Sequence, residues 1–310
     1  MEFSADLVER GVDFITQRRF AEGFQLLEWA SDAPATSEAR SSPHYVRAIR
    51  WLKAALAVHP EDAALWLAEG VVRLHIRTYE RAGGARVRVD EILPRGSWGE
   101  DAVYCLQKAV ELQPSSAQAH LYLGIALHRI GKRESHTKAI EEFDTAVRLD
   151  PDCARAWYQK GIAQADLGKL EFRFLEQSVD SFKEAIRINP TYQEAWFNAG
   201  VAHRKLGHLD LEISCMEKAT SLNPADADAW YNLGTALVGR GSLAEALDCL
   251  KKAVEFNSAH RNAWNNQALI FHKLGQRQRA ISCWEKAADL GSPEAKASLD
   301  DLEGRYRWRP

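Results

Sequence analysis

The sequence predicts an all-α protein, a solenoid of stacked helix pairs closed by a C-terminal capping helix. Two observations carry this. Trp196, Trp230 and Trp264 recur every 34 residues inside related phrases: Trp196-Phe197-Asn198-Ala199-Gly200, Trp230-Tyr231-Asn232-Leu233-Gly234 and Trp264-Asn265-Asn266-Gln267-Ala268. Within 227–260, apolar and small residues fall at Trp230, Leu233, Gly234 and Leu237, then at Ala244, Leu247, Leu250 and Ala253. That is helical spacing, broken once at Gly239-Arg240-Gly241-Ser242. Each unit therefore reads as two antiparallel amphipathic helices. One pair cannot cover its own apolar face, so neighbours must stack, and a right-handed superhelix with a concave groove follows. The length of 310 residues is long for one globular core but suits a fold that grows by layers.

In chain order, 1–60 is a divergent helical region. Leu7 to Arg18 and Phe20 to Ala30 read as helices, and Asp32-Ala33-Pro34 through Ser41-Ser42-Pro43 as a linker by composition. A further helix, His44 to Val58, ends before Pro60. Its partner is either the helix before the linker or none, in which case it lies on the next unit. Residues 61–116 form a unit opening at Trp66 with an insertion at about 81–99, since Gly70 to Gly124 spans 54 residues where the period asks for 34. The insertion holds Arg81, Arg86, Arg88 and Arg95 with Trp98. It reads either as a solvated loop or as one whose arginines grip a phosphate or an acidic segment.

Residues 117–293 hold five repeats. The first two open on His120-Leu121-Tyr122-Leu123-Gly124 and Trp157-Tyr158-Gln159-Lys160-Gly161, at intervals stretched to 37 and 39. Short insertions near Lys132 to His136 and Glu171 to Phe174 account for the stretch and are expected to lengthen turns and helices. Small residues recur at Ala146, Ala185, Ala219, Ala253 and Ala287, and Pro114, Pro151, Pro190 and Pro224 close their units. The glycine at the eighth position lets two backbones approach, while tryptophan and leucine fill the remaining space. Residues 294–310 read as a solvating cap, with Ala295, Ala297, Leu299 and Leu302 apolar, and a tail at Arg305 to Pro310. That tail is either a frayed end with Trp308 packed on the cap or a contact for an acidic partner.

This period and these positions strongly resemble the tetratricopeptide repeat family, well over about 63–294 and weakly before that. The resemblance implies that the first helix of each unit lines the groove through positions 2, 5, 6, 9, 12 and 13. Position 6 then carries Asn198, Asn232 and Asn266, preceded by Gln159 and Tyr122. An amide offers an acceptor and two donors, so three in register suit an extended peptide backbone. Position 5 supplies Leu121, Tyr158, Phe197, Tyr231 and Asn265, and position 9 supplies Ile125, Ile162, Val201, Thr235 and Leu269. Positions 12 and 13 add His128-Arg129, Arg204-Lys205 and His272-Lys273, a basic line that implies acidic residues in the ligand. No unit has the lysine at position 5 with asparagine at position 9 that the chaperone-type carboxylate clamp requires.

Other chemistry finds little support. Net charge is −3 and the pI about 6.4, which makes no case for nucleic acid. No apolar run is long enough for a membrane span, and the start lacks secretory features, so a cytoplasmic location is expected. Cys215, Cys249 and Cys283 are also 34 apart and read as packing residues. Equivalent points on stacked repeats are roughly 8–10 Å apart, beyond disulfide reach. No phosphate loop, nucleophile elbow or zinc motif occurs, so no catalytic, cofactor or metal residue is assigned. The expected function is a non-catalytic scaffold or adaptor holding an extended segment of a partner protein. A self-associating assembly protein and a regulatory subunit of a larger enzyme remain the alternatives.

Overall fold

The computed structural model describes residues 43–82, 98–169 and 171–307, and every regular element among them is α-helix. The helices expected at 7–18 and 20–30, the linker up to 42, the insertion between 83 and 97, and Trp308 lie outside the described residues. The chain divides into two compact units, Met1–Leu167 and Gly168–Pro310.

In the first unit α1 (Pro43–Val58) packs on α2 (Ala63–Ala82), which pairs with α3 (Trp98–Leu112). The helix whose partner the sequence left open therefore leans on the unit that follows it. Next come α4 (Ala117–Ile130), α5 (Arg133–Leu149) and α6 (Ala154–Leu167), each against its predecessor, with α2 also touching α4 and α4 touching α6. The second unit runs α7 (Phe172–Ile188), α8 (Gln193–Leu206), α9 (Leu209–Leu222), α10 (Ala227–Arg240), α11 (Leu243–Phe256), α12 (Arg261–Lys273), α13 (Arg277–Asp289) and α14 (Pro293–Arg307). From α8 on, each helix packs on the one before it. This is the α-solenoid of helix pairs that the period predicts. The cap behaves as expected at Ala295, which is buried, and at the half-buried Leu299 and Leu302, but Ala297 is exposed.

The two short insertions become helix more than loop. Helices α5 and α7 have 17 residues where α9 and α11 have 14. The turn before α5 is only Gly131-Lys132, so all of its extra length is helical. Turns inside pairs close on glycines that no L-residue would replace without strain, such as Gly207 at φ 78° and Gly241 at φ 90°.

Close approach inside a pair is set at the eighth position. A Cβ built on Gly124 would lie 2.6 Å from the Phe143 ring, and one on Gly234 would lie 2.9 Å from Leu250 Cγ and 3.2 Å from the Ala246 carbonyl. One small residue differs from expectation: Ala244 is exposed and Ala246 is buried. On α11, Ala244 and Glu245 are exposed while the apolar stripe runs through Ala246, Leu247, Leu250 and Ala253.

The tryptophans do more than fill space. The five that open repeat units are only partly buried, and each donates its indole N–H to the carbonyl six residues earlier, in the turn that precedes its helix. The bonds are Trp66 to Pro60 at 2.8 Å, Trp157 to Pro151 at 3.0 Å and Trp196 to Pro190 at 3.0 Å. Trp230 to Pro224 at 2.8 Å and Trp264 to Ser258 at 2.9 Å continue the series. Where His120 replaces tryptophan, its Nε2 makes the same bond to the Pro114 carbonyl at 3.0 Å, and its Nδ1 meets Glu142 Oε2 at 2.6 Å. Lysines from the second helices cover the ring faces, with Lys252 Nζ 3.9 Å from the Trp230 centroid and Lys286 Nζ 4.4 Å from that of Trp264.

The cysteine column sits at one point on α9, α11 and α13, and all three side chains are buried. Burial pushes the thiols of Cys215 and Cys249 up to about 11, and that of Cys105, beside Glu69, up to about 12. Two tests follow from this packing. Gly234→Leu should overpack the α10–α11 contact and lower stability by about 1–3 kcal/mol, and an unchanged thermal midpoint would show that the contact is not limiting. In the native protein near neutral pH, Cys105, Cys215 and Cys249 should react with an aromatic disulfide reagent at least about tenfold more slowly than in guanidinium, because the thiolate is the reactive form. Equal native and denatured rates would contradict their burial.

Candidate functional site

The expected site residues fall into both units. Tyr158 and Gln159 are half-buried on α6, and Arg129 ends α4, all in the first unit. Asn198, Asn232 and Asn266 sit at equivalent points of α8, α10 and α12 in the second unit, accompanied by Phe197, Tyr231, Asn265, Arg204, Lys205 and Lys273. In that unit the first helices are tied to one another by side chains. Gln193 Nε2 of α8 donates to Asp226 Oδ2 at 2.7 Å, and Arg204 Nη1 of α8 donates to Asn232 Oδ1 of α10 at 2.9 Å. Asn266 Nδ2 of α12 donates to Thr235 Oγ1 of α10 at 3.3 Å.

The asparagines are therefore not a row of free amides. Asn198 Nδ2 is given to the Glu194 carbonyl one turn earlier at 2.9 Å. Asn232 is 8% exposed and accepts from Arg204, so its removal would touch stability as well as any ligand. Asn265 has its Oδ1 buried with no hydrogen-bond partner among the described residues. Phe197 and Tyr231 lean half-buried on the core, and Tyr231 also stacks on His260 with centroids 4.6 Å apart. Each directly precedes an asparagine in the chain, Asn198 and Asn232.

The basic line is likewise partly committed inside the protein. Arg129 Nη1 donates to the Leu74 carbonyl at 2.9 Å. Arg204 Nε lies 3.6 Å from Glu212 Oε1, a carboxylate whose side chain is only 4% exposed. Burial pushes Glu212 above the usual carboxylate range, and the Arg204 guanidinium opposes that shift. Lys205 and Lys273 stay exposed. Two arginines expected to offer charge to a ligand thus hold partners of their own.

Glu212 and Thr235 were not legible as a pair with the asparagines. A signal existed for Glu212. Its column in the other repeats is Ala139, Ser178, Ala246 and Ala280, all small and all buried, so an acid there departs from the period. Thr235 carried no such mark.

Family models match this chain as TPR repeat over 99–131 and as tetratricopeptide repeat over 131–171, 193–226, 215–248 and 262–290, together about half its length. The chain belongs to the tetratricopeptide repeat family. Membership carries the general role of a protein–protein interaction scaffold. Among solved structures it is similar to YrrB, described as a TPR protein with an unusual peptide-binding site, at 22% identity over 63% of this chain and 97% of that one, TM-score 0.54. It is also similar to pilF of Pseudomonas aeruginosa, at 18% identity over 77% and 97% with TM-score 0.58. A third likeness is to the APC/C hetero-tetramer Cut9-Hcn1, at 16% identity over 91% and 52% with TM-score 0.56. At these identities the likeness is one of fold. No curated protein matches the chain. No helix among the described residues of this TPR protein is long and apolar enough to cross a membrane.

At the end of α8, His203 is 5% exposed, with its Nδ1 3.4 Å from Nδ1 of His208. Burial holds His203 below the usual imidazole range, and His208 and Lys183 push the same way. The unfolded chain then binds that proton more readily, so His203 disfavours folding progressively as pH falls through about 6.5 toward its lowered folded value. His128, lowered chiefly by burial, acts in the same direction. Acidification from about pH 7.5 to about pH 5.5 should therefore lower the thermal midpoint, and His203→Gln should show a smaller fall. An equal fall in that variant would remove His203 from the account.

Proposed function

We propose that this TPR protein is a non-catalytic adaptor whose second unit binds an extended segment of a partner through the face built by α8, α10 and α12. The observation that carries the reading is three asparagines at equivalent helix positions, two of them, Asn232 and Asn266, hydrogen-bonded to the preceding first helix, with Phe197 and Tyr231 next to Asn198 and Asn232 in the chain. Amides bound to a rigid frame can take main-chain groups of any sequence, while Phe197 and Tyr231 beside them would favour apolar side chains. YrrB, which shares this fold, is described as having a peptide-binding site, and that supports the reading by analogy. A preference for acidic ligands is not part of this proposal, because Arg129 and Arg204 are held by the Leu74 carbonyl and by Glu212 with Asn232. Buried thiols suit a reducing compartment such as the cytoplasm.

The test uses peptides selected on the wild-type protein from a random-sequence display library. Replacing Asn198, Asn232 and Asn266 with alanine one at a time should weaken binding by about 1 kcal/mol each, the typical net worth of one hydrogen bond. The triple variant should lose roughly two decades of affinity. Peptides that bind the folded triple variant as tightly as wild type would place recognition elsewhere. A stable dimer by light scattering that binds no peptide would favour self-association instead.

A further inference from the structure

We propose that neighbouring side chains fix the groove amides in opposite senses, so that the second unit takes a ligand main-chain carbonyl at Asn232 and a main-chain N–H at Asn266. The inference rests on the peptide-binding reading above and specifies which backbone group Asn232 and Asn266 each bind.

The orientation of an amide is ordinarily an assignment between near-identical atoms. Here the partners decide it. Arginine has donors and no acceptor, so the atom facing Arg204 Nη1 at 2.9 Å is Asn232 Oδ1. Both hydrogens of Asn232 Nδ2 are then left for a ligand, and no other group among the described residues takes them. At Asn266 the logic runs the other way. The Thr235 hydroxyl gives its hydrogen to the Tyr231 carbonyl at 2.9 Å, so Thr235 Oγ1 offers only lone pairs to its neighbour. The atom facing it at 3.3 Å is therefore Asn266 Nδ2, which leaves Oδ1 as an acceptor. Adjacent rungs thus differ: a donor on α10, an acceptor on α12.

Arg204 is held in place by an unusual neighbour. Glu212 occupies a buried column that is otherwise alanine or serine, and its Oε1 has no hydrogen-bond partner among the described residues although Arg204 Nε stands 3.6 Å away. A buried ion pair is seldom more stable than a small apolar residue in the same place. The acid and the arginine occur together in one repeat, where the equivalents of Arg204 are His128, Ala165, Val238 and His272. Their joint effect is to aim one amide, which makes Arg204 a positioning residue for Asn232.

The experiment uses library-selected peptides that bind the wild-type protein and are lost by the triple alanine variant. If no such peptide exists, the peptide-binding reading fails and this inference with it. Given such peptides, Asn232→Asp keeps the bond to Arg204 but presents only acceptors to the ligand. It should bind more weakly than Asn232→Ala, by about threefold or more. Asn266→Asp keeps the outward acceptor and should bind more tightly than Asn266→Ala by a similar factor. Reversal of either order overturns the assignment while leaving the peptide reading intact. Arg204→Met should weaken binding about tenfold, and Arg204→Lys, which still donates to Oδ1, should restore most of that loss. Circular dichroism and thermal midpoints identify folded variants. Wild-type affinity in a folded Arg204→Met variant, or no rescue by lysine, removes Arg204 from the mechanism.

Discussion

The hydrogen bond from the indole N–H of each unit-opening tryptophan to the carbonyl six residues earlier is the interaction on which the regularity of this protein depends. It ties a first helix to the turn that brings the chain in from the preceding pair. The spacing between successive pairs is therefore set by one short loop of nearly constant geometry. A tryptophan in this place needs an apolar bed for its ring and a wet edge for its N–H, which explains why these residues are only half-buried. The lysines over the ring faces complete the environment. His120 shows what the constraint is: the ring size changes, yet a ring nitrogen still reaches the Pro114 carbonyl.

Within a pair the governing constraint is distance. Gly124 against Phe143 and Gly234 against Leu250 let a large side chain of one helix press on the bare backbone of the other. Interiors packed this densely tolerate few alternatives, so small residues recur in columns. Departures from those columns become informative for the same reason. Glu212 stands in a column of alanine and serine, brings a charge with it, and lies beside an arginine that no other repeat shares.

The face of α8, α10 and α12 gains its character from polar links between helices rather than from any single side chain. Bonds from Arg204 to Asn232 and from Asn266 to Thr235 cross from one first helix to the next. In the proposed peptide-binding role they would order the amides before a ligand arrives and so reduce the entropy lost on binding. The same links tie the site to the stability of the second unit, since Asn232 is both a groove amide and a buried acceptor.

The sequence by itself determined the all-α class, the paired helices and the membership of the repeat family, because a period of 34 residues reflects a packing unit that cannot stand alone. It also placed Asn198, Asn232 and Asn266 at one position, since equal register on equal helices needs no tertiary information. Only the tertiary structure decided that α1 rests on α2, that extra residues near 132 lengthen α5 and not its turn, and that Ala246 is buried where Ala244 is not. It alone also decided what each asparagine can offer. The sense of an amide depends on which donor or acceptor an adjacent helix brings within about 3 Å. Arg204 and Asn232 are 28 residues apart, and Thr235 and Asn266 are 31 apart, so periodicity gives their columns but not their contacts.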